Sequence, residues 1–110
     1  MADLQRGRLR DPSEAPRVGE HAEPLAAFGP VEIIQILSGR LDEAVDFVQA
    51  EDEWVLVLGG RGRLELDGRD VVLEAGDWLY LPAGVPHRLV EAEPGTSWLA
   101  VHVERPDAAE

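Results

Sequence analysis

One stretch, GDWLYLPAGVPH at residues 76–87, decides the fold of this chain. It opens with a Gly-Asp pair that is typical of a turn, and the apolar run at 78–81 predicts a short strand. Residues 82–86, PAGVP, contain two prolines and a glycine within five positions. They predict a stiff corner, because proline restricts both its own backbone and that of the preceding residue. This corner delivers His87 to the start of the next strand, where a histidine is well placed to act as a ligand.

Short apolar segments separated by turn residues continue on both sides of this stretch. The breaks carry glycine paired with Ser, Gly, Asp, Ala or Pro, which is turn chemistry at regular spacing. This spacing predicts an all-β sandwich or barrel, although residues 41–48 read alone would also fit a short helix. The predicted strands are 31–37, 44–49, 53–58, 63–66, 70–73, 78–81, 87–92 and 97–103.

The spacing within 76–87 is Gly, five residues, Pro, one residue, Gly, two residues, His. It resembles the second signature motif of the cupin superfamily, and the fragments 52–58, 82–88 and 98–102 are similar to those of small single-domain bacterial cupins, mostly uncharacterised. The resemblance implies a cupin-type double-stranded β-helix, an antiparallel jelly-roll barrel, with His87 as a metal ligand inside it. The chain departs from the family pattern at Glu91, where cupins usually have asparagine.

The first cupin motif is only partly retained. In the family it runs His, one residue, His, three or four residues, Glu, six residues, Gly. Glu53 and Gly60 keep the last interval, while Phe47 and Gln49 occupy the positions of the two histidines. The resemblance therefore implies Glu53 as a ligand, and Gln49 lies on the same strand face as Phe47 because side chains alternate along a strand.

The assignment of His102 as a ligand depends on how the last two predicted strands pair. If 93–96 form a hairpin loop, His102 lies directly across from His87 on the same face, whereas a slip of one residue sends it to the opposite face. The expected site then has His87 and His102 as nitrogen ligands and Glu53 and Gln49 as oxygen ligands. Such a set suits one divalent iron, manganese, nickel or zinc ion with open positions for a substrate or dioxygen.

Each of these residues also has a purely structural interpretation. His87 could be a hydrogen-bonded histidine at the barrel mouth, and Glu53 could pair with Arg63 or Arg88 across the sheet. Gln49 could bond the backbone, and His102 could lie at a frayed strand end. The side chains expected to form the pocket wall are Phe47, Tyr80, Trp98 and Leu89.

Composition narrows the available chemistry. The chain has 110 residues, a formal net charge of -12 and no cysteine, which predicts one small domain without disulfides, thiolate nucleophiles or sulfur-bound zinc. Every basic residue is arginine, so a lysine Schiff base is excluded. The acidic balance opposes nucleic-acid binding, and no apolar run is long enough to cross a membrane. A cytoplasmic location is the expectation.

Domain boundaries follow from the polar ends of the chain. Residues 1–24 are rich in Arg, Glu, Asp and Pro and are expected to form a flexible lead, 25–104 the barrel, and 105–110 a frayed tail. Residues 53–58 are apolar on both faces of the alternation, so the N-terminal strand or a second subunit must cover the outer face. Exposed Trp54, Leu56 and Leu58 would favour a homodimer.

Three functions remain open from the sequence. The first is a metal-dependent enzyme of the dioxygenase, isomerase or lyase type that acts on a small organic molecule in the barrel. The second is a non-catalytic module that binds or senses a small ligand. The third is a structural barrel that supports only a dimer.

Overall fold

A computed structural model describes residues 4–105, whose regular elements are β-strands apart from one 3-10 turn at Pro12–Glu14. The all-β prediction is confirmed, and the helix considered for 41–48 is not formed. The tail residues 106–110 lie outside the described part. Within residues 4–105, no helix combines the length and apolarity needed to span a membrane. The strands are β1 Glu20–Phe28, β2 Val31–Ser38, β3 Val45–Phe47, β4 Asp52–Gly59, β5 Arg61–Leu66, β6 Arg69–Glu74, β7 Trp78–Leu81, β8 His87–Ala92 and β9 Thr96–Val103.

Two antiparallel sheets pack face to face. The five-stranded sheet has the order β1-β2-β9-β4-β7 and the four-stranded sheet the order β3-β8-β5-β6. Both sheets turn one face inward, because apolar residues recur at every second position and must be removed from water. The expected antiparallel sandwich is therefore confirmed. Its buried core consists of Val55, Val57, Leu64, Leu73, Leu89, Trp98 and Ala100.

Strand β4 shows how the alternation positions a functional group. Val55 and Val57 are buried and point into the core, and Glu53 lies two positions earlier on the same face. The intervening Trp54 and Leu56 point to the outer face and are only partly buried. The two-residue alternation that points Val55 and Val57 into the core therefore also points the Glu53 carboxylate into the interior.

Strand β1 extends the sheet to the N-terminal side of the expected barrel boundary at residue 25. It begins at Glu20, inside the segment expected to be a flexible lead, and pairs with β2 over its whole length. The sequence pattern does not predict this strand, because its alanines and Pro24 are residue types with low strand preference. Pro24 is tolerated because β1 is an edge strand with an irregularity between Pro24 and Ala26.

The segment before β1 is attached to β2 by one buried amide. The Gln35 side chain is fully buried, accepts a hydrogen bond from the backbone N–H of Arg10 at 2.8 Å and donates one to the Arg10 carbonyl at 3.0 Å. It also donates to the Ser97 hydroxyl at 3.1 Å. These bonds hold part of the expected lead against the sheet.

The predicted hairpin between β8 and β9 is wrong. Strand β8 pairs with β3 and β5 in one sheet, whereas β9 pairs with β2 and β4 in the other. Residues 93–96 therefore cross between sheets instead of joining neighbours in one sheet. The Thr96 hydroxyl fixes this crossing by donating to the Glu93 carbonyl and accepting from the Arg61 backbone N–H. A loop this short suits either connection, and only long-range packing chooses between them.

Candidate functional site

A cavity of about 220 Å³ lies between the two sheets. Its walls are mainly apolar, and Phe47, Leu89 and Trp98 are among the side chains that line it, as expected for a pocket. Tyr80 lies elsewhere, since it is 49% exposed and its hydroxyl donates to Asp52 at 3.3 Å. Tyr80 alternates with buried Leu81 along β7 and so faces outward. The polar side chains of the lining are Glu20, Gln49, Glu53, His87 and His102.

His87 is held rigidly at one end of this cavity. It follows the proline corner, where Gly84 has a φ of 81° that favours glycine, and the side chain is buried. Its Nδ1 lies 3.1 Å from the Val85 carbonyl oxygen and so donates its proton there, which makes Nε2 the ligand atom of the neutral ring. The imidazole also stacks on the Phe47 ring, with centroids 5.3 Å apart. Both contacts restrain the orientation of the ring.

Glu53 is the centre of the polar cluster. Its Oε1 accepts a hydrogen bond from Gln49 Nε2 at 2.9 Å and lies 3.7 Å from His87 Nε2. Its Oε2 lies 3.2 Å from His102 Nε2. The structure thus brings together all four residues that the sequence proposed as ligands.

His102 reaches this cluster by a different route from the one expected. It is the direct partner of Glu53 across β4 and β9, not of His87 across a hairpin. Its Nε2 is buried and, among residues 4–105, has no hydrogen-bond partner, because its contact with Glu53 is close but not aligned as an N–H···O bond. A buried polar nitrogen without an aligned hydrogen bond is uncommon, so His102 Nε2 has bonding capacity that the described residues leave unused.

The cluster forms a coupled acid and base. Burial opposes ionisation of Glu53, but contacts with His102, Gln49 and His87 outweigh it and hold the pKa of Glu53 below its usual value. The contact with Glu53 raises the pKa of His102 above 6.5, against the effect of burial. We therefore expect Glu53 to be ionised and to attract a positive charge at this end of the cavity.

The alternative ion pairs for Glu53 are not formed. Arg63 instead contacts Glu91 at 3.1 Å and Asp70 at 3.3 Å on the outer surface. Arg88 contacts Asp46 at 2.7 Å. Glu53 is thus left to the two histidines and the amide.

Glu20 is a cavity residue that the sequence analysis missed. Its Oε2 accepts a hydrogen bond from the Ser38 hydroxyl at 2.6 Å. Burial raises the pKa of Glu20, the Ser38 bond opposes this, and the charge of Glu53 adds to the rise. The signal in the sequence is weak: Glu20 and Ala22 are two apart and both line the cavity, but only if residues 20–28 are a strand.

The four expected ligands offer a suitable donor set without a preformed metal cluster. Two imidazole nitrogens, a carboxylate and an amide suit a divalent transition metal, and the unpartnered His102 Nε2 fits this use. As the side chains stand, however, residues 4–105 contain no group of three or more His, Cys, Asp or Glu arranged to hold a metal. The geometry of the cluster therefore leaves metal binding to be tested.

Solved structures share this fold. A candidate mannose-6-phosphate isomerase from Ralstonia eutropha is 30% identical, with 90% of this chain and 100% of that chain covered and a TM-score of 0.72. A cupin superfamily protein from Desulfitobacterium hafniense is 23% identical, with coverage of 93% and 94% and a TM-score of 0.72. KdgF from Halomonas sp. is 20% identical, with coverage of 84% and 86% and a TM-score of 0.67. The last two similarities show the fold alone.

The family relationship rests on the sequence profile as well. No protein of curated function is significantly similar to the chain. Residues 42–102, more than half of the chain, match the Cupin domain family. This range runs from just before β3 to His102 and contains four of the five polar cavity residues, all except Glu20. The chain belongs to the cupin family.

Proposed function

We propose that this protein holds one divalent transition metal ion between His87, Glu53 and His102 and presents it to a small organic molecule in the cavity. The observation that carries the proposal is the buried Nε2 of His102, which has no hydrogen-bond partner among residues 4–105 and lies 3.2 Å from Glu53 Oε2. Burying a polar nitrogen without a partner is unfavourable, and a bound ion would satisfy it. Gln49 is the expected fourth ligand.

The separations within the cluster support this assignment. Metal bonds to imidazole or carboxylate are about 2.0–2.2 Å long, so two atoms bound to one ion lie about 3 Å apart. His102 Nε2 and Glu53 Oε2 already meet this condition at 3.2 Å, and His87 Nε2 is 3.7 Å from Oε1. Binding one ion would require His87 to move toward the carboxylate, since no group of three ligands within residues 4–105 is yet arranged to hold a metal.

The surrounding residues would prepare the site for chemistry. Such an ion, when bound, supplies a Lewis acid at an open position of the kind used by cupin dioxygenases, isomerases and lyases. The Val85 carbonyl and the Phe47 ring hold His87 in one orientation. The apolar walls exclude water from a small substrate, since a cavity of about 150 Å³ already holds benzene.

A phosphorylated sugar fits this cavity poorly. The relative from Ralstonia eutropha carries the name of a mannose-6-phosphate isomerase. Here the lining, within residues 4–105, contains the carboxylates Glu20 and Glu53 and no arginine, so a phosphate group would have no guanidinium partner. We infer that the substrate differs from that sugar phosphate.

Ligand binding without catalysis is the second candidate. It is favoured by the bond from Gln49 to Glu53, which satisfies the amide and the carboxylate without a metal, and by the replacement of both motif histidines with Phe47 and Gln49. In this case the imidazoles would bind a polar group of the ligand directly. A protein that takes up no metal yet binds a small molecule in the cavity would establish this function.

Elemental analysis of the purified full chain tests the metal proposal. Samples of wild type, His87→Ala and His21→Ala are incubated with iron, manganese, nickel or zinc and desalted before measurement. His21 is the matched control because it is exposed on β1, outside the cavity lining. We expect one metal per chain in wild type and His21→Ala and none in His87→Ala, with unchanged circular dichroism. Stoichiometric metal in His87→Ala would contradict the site.

A further inference from the structure

The cavity contains a second polar group, Glu20, away from the metal-ligand cluster. Glu20 is the direct partner of Ser38, which is in turn the partner of Thr96 on β9. The cluster includes His102, which lies six positions further along β9. Because both positions belong to one continuous strand, the backbone of Glu20 lies toward the opposite end of the sheet from His102. The lining thus has a second polar region at Glu20, at a different point along the sheet from His102 and still within reach of the charge of Glu53.

A hydrogen-bond chain fixes the Glu20 carboxyl group in the cavity wall. The indole N–H of Trp98, which can only donate, bonds the Ser38 hydroxyl oxygen at 2.9 Å. Ser38 is fully buried and has a single hydroxyl proton, which it donates to Glu20 Oε2 at 2.6 Å. The other carboxyl oxygen, Oε1, has no hydrogen-bond partner among the residues the structure describes. One oxygen is therefore fixed and the other is available to a ligand.

We propose that Glu20 determines specificity by binding a hydroxyl group of an uncharged ligand in this cavity. The inference rests on the proposed function in that a small molecule must occupy the cavity. A hydroxyl group suits this position because it can donate to a carboxylate or accept from a carboxylic acid. Glu20 thus recognises it in either protonation state.

At the Glu20 position, the composition of the lining disfavours a charged organic ligand. An anion would meet two carboxylates, Glu20 and Glu53, and no arginine within residues 4–105. An organic cation at this position would have only Glu20 as a partner, since Glu53 contacts His102 and is the proposed ligand of the metal ion, and the remaining wall is mainly apolar. Burial of an incompletely paired charge in such a wall is costly, so an uncharged molecule with a hydroxyl group is favoured.

Binding of four matched probes tests this role. Benzyl alcohol, toluene, benzoate and benzylammonium share one ring and differ in the group that would face Glu20. Dissociation constants are measured by NMR titration of the full chain for wild type, Glu20→Met, Glu20→Gln and the control Glu43→Met. Met conserves the volume of Glu without polar atoms, and Gln retains a donor and an acceptor. Glu43 is an exposed carboxylate outside the cavity.

In wild type and Glu43→Met we expect benzyl alcohol to bind about tenfold more tightly than toluene, the effect of one hydrogen bond to a carboxyl group. Glu20→Met should remove this preference and leave toluene binding intact, and Glu20→Gln should retain it. Glu20→Ala provides the same comparison if Met perturbs the fold.

Two results would overturn the role of Glu20 alone. One is an unchanged preference for benzyl alcohol in Glu20→Met. The other is tighter binding to wild type of benzylammonium than of benzyl alcohol, or of benzoate than of benzyl alcohol once metal has been removed with EDTA. Failure of all four probes to bind wild type would contradict both this role and the ligand cavity. The metal content measured by elemental analysis is independent of these outcomes.

Discussion

At the scale of single residues, Glu53 connects the polar groups of the cavity. It is buried, bonds Gln49 and lies against both histidines, so its negative charge is the feature that a cation at this site would depend on. An ionised carboxylate in an apolar interior attracts a cation far more strongly than it would in water.

Replacing Glu53 by Gln keeps the shape of the side chain and removes its charge. We expect Glu53→Gln to weaken zinc or nickel binding by more than about 100-fold, beyond the loss typical of residues that only orient a ligand. Isothermal titration calorimetry measures this affinity. Glu65→Gln is the control, since Glu65 is exposed on β5 and outside the cavity. Equal affinities for wild type and Glu53→Gln would exclude the carboxylate as a ligand.

The spacing of the sequence motifs is sufficient to identify several cavity residues. The intervals around His87 and Glu53 are local and survive in the sequence, and the count back from Glu53 reached Gln49. His102 was placed near them through a hairpin that does not exist, and the actual contact runs through β4. Glu20 was missed because its strand carries residues with low strand preference.

At the scale of elements, the corner before His87 is fastened to β4 by Asp52. The Asp52 carboxylate accepts hydrogen bonds from the Ala83 backbone N–H at 2.8 Å, the Tyr80 hydroxyl at 3.3 Å and the Arg105 guanidinium at 2.9 Å. The Ala83 bond is the largest cause that lowers the pKa of Asp52 below 3.8, against a smaller effect of desolvation, and the other two bonds add to it. The ionised form therefore stabilises the corner that positions His87.

This stabilisation depends on pH in a defined direction. Because the folded pKa of Asp52 is lowered, its contribution is complete above pH 3.8 and is lost as the pH falls through the folded value. We expect Asp52→Asn to melt at a lower temperature than wild type at pH 7 and the difference to shrink at pH 3. Thermal denaturation followed by circular dichroism measures both. Asp42→Asn, on an exposed pair with Arg40, is the control, and a gap independent of pH would contradict the assignment.

The contact between β5 and β9 depends on a glycine. A Cβ built on Gly62 would overlap the indole of Trp98, a core residue that also lines the cavity. We expect Gly62→Ala to lower the free energy of unfolding by about 1–3 kcal/mol, as is typical of overpacking. Urea denaturation measures the loss. Gly59→Ala is the matched control because its Cβ would meet no atom within 4 Å, and equal stabilities of the two variants would contradict the packing argument.

At the scale of the whole molecule, the outer face of the five-stranded sheet carries an apolar patch where β4 lies beside β7. Trp54 and Trp78 pack with ring centroids 6.1 Å apart, and Trp78 remains 60% exposed. Tyr80 follows on the same face of β7. We propose that a second copy of the chain covers this apolar patch. Each chain has a net charge of -12, and association through uncharged side chains keeps the acidic surfaces of the two copies away from each other.

Trp78→Glu places a charge in the middle of this patch. We expect wild type to sediment as a dimer and Trp78→Glu as a monomer, since burial of an unpaired carboxylate opposes association. Analytical ultracentrifugation over a range of concentrations measures both states. Val72→Glu is the control, because Val72 is exposed on β6 in the other sheet. A monomeric wild type would refute the proposed interface.

The sequence predicted the bounds of the strands more reliably than it predicted which strands pair with each other in the sheets. Turn residues around 59–60, 67–68 and 76–77 mark local ends, so the bounds of β5 to β7 follow the pattern closely. The pairing of β9 with β2 and β4 is decided by how two sheets close over Trp98 and its core neighbours, which no local pattern records. The cavity and its second polar region depend on that closure.

The most direct test of the metal site is a crystal structure of the full chain soaked with Mn²⁺ or Zn²⁺, with anomalous scattering recorded at the metal edge. The account predicts one strong anomalous peak within about 2.0–2.3 Å of His87 Nε2, His102 Nε2 and a Glu53 oxygen. His21 and the surface carboxylates would carry weaker peaks or none. A fully folded chain whose cluster shows no anomalous peak, with Gln49 still bonded to Glu53, would contradict the central claim.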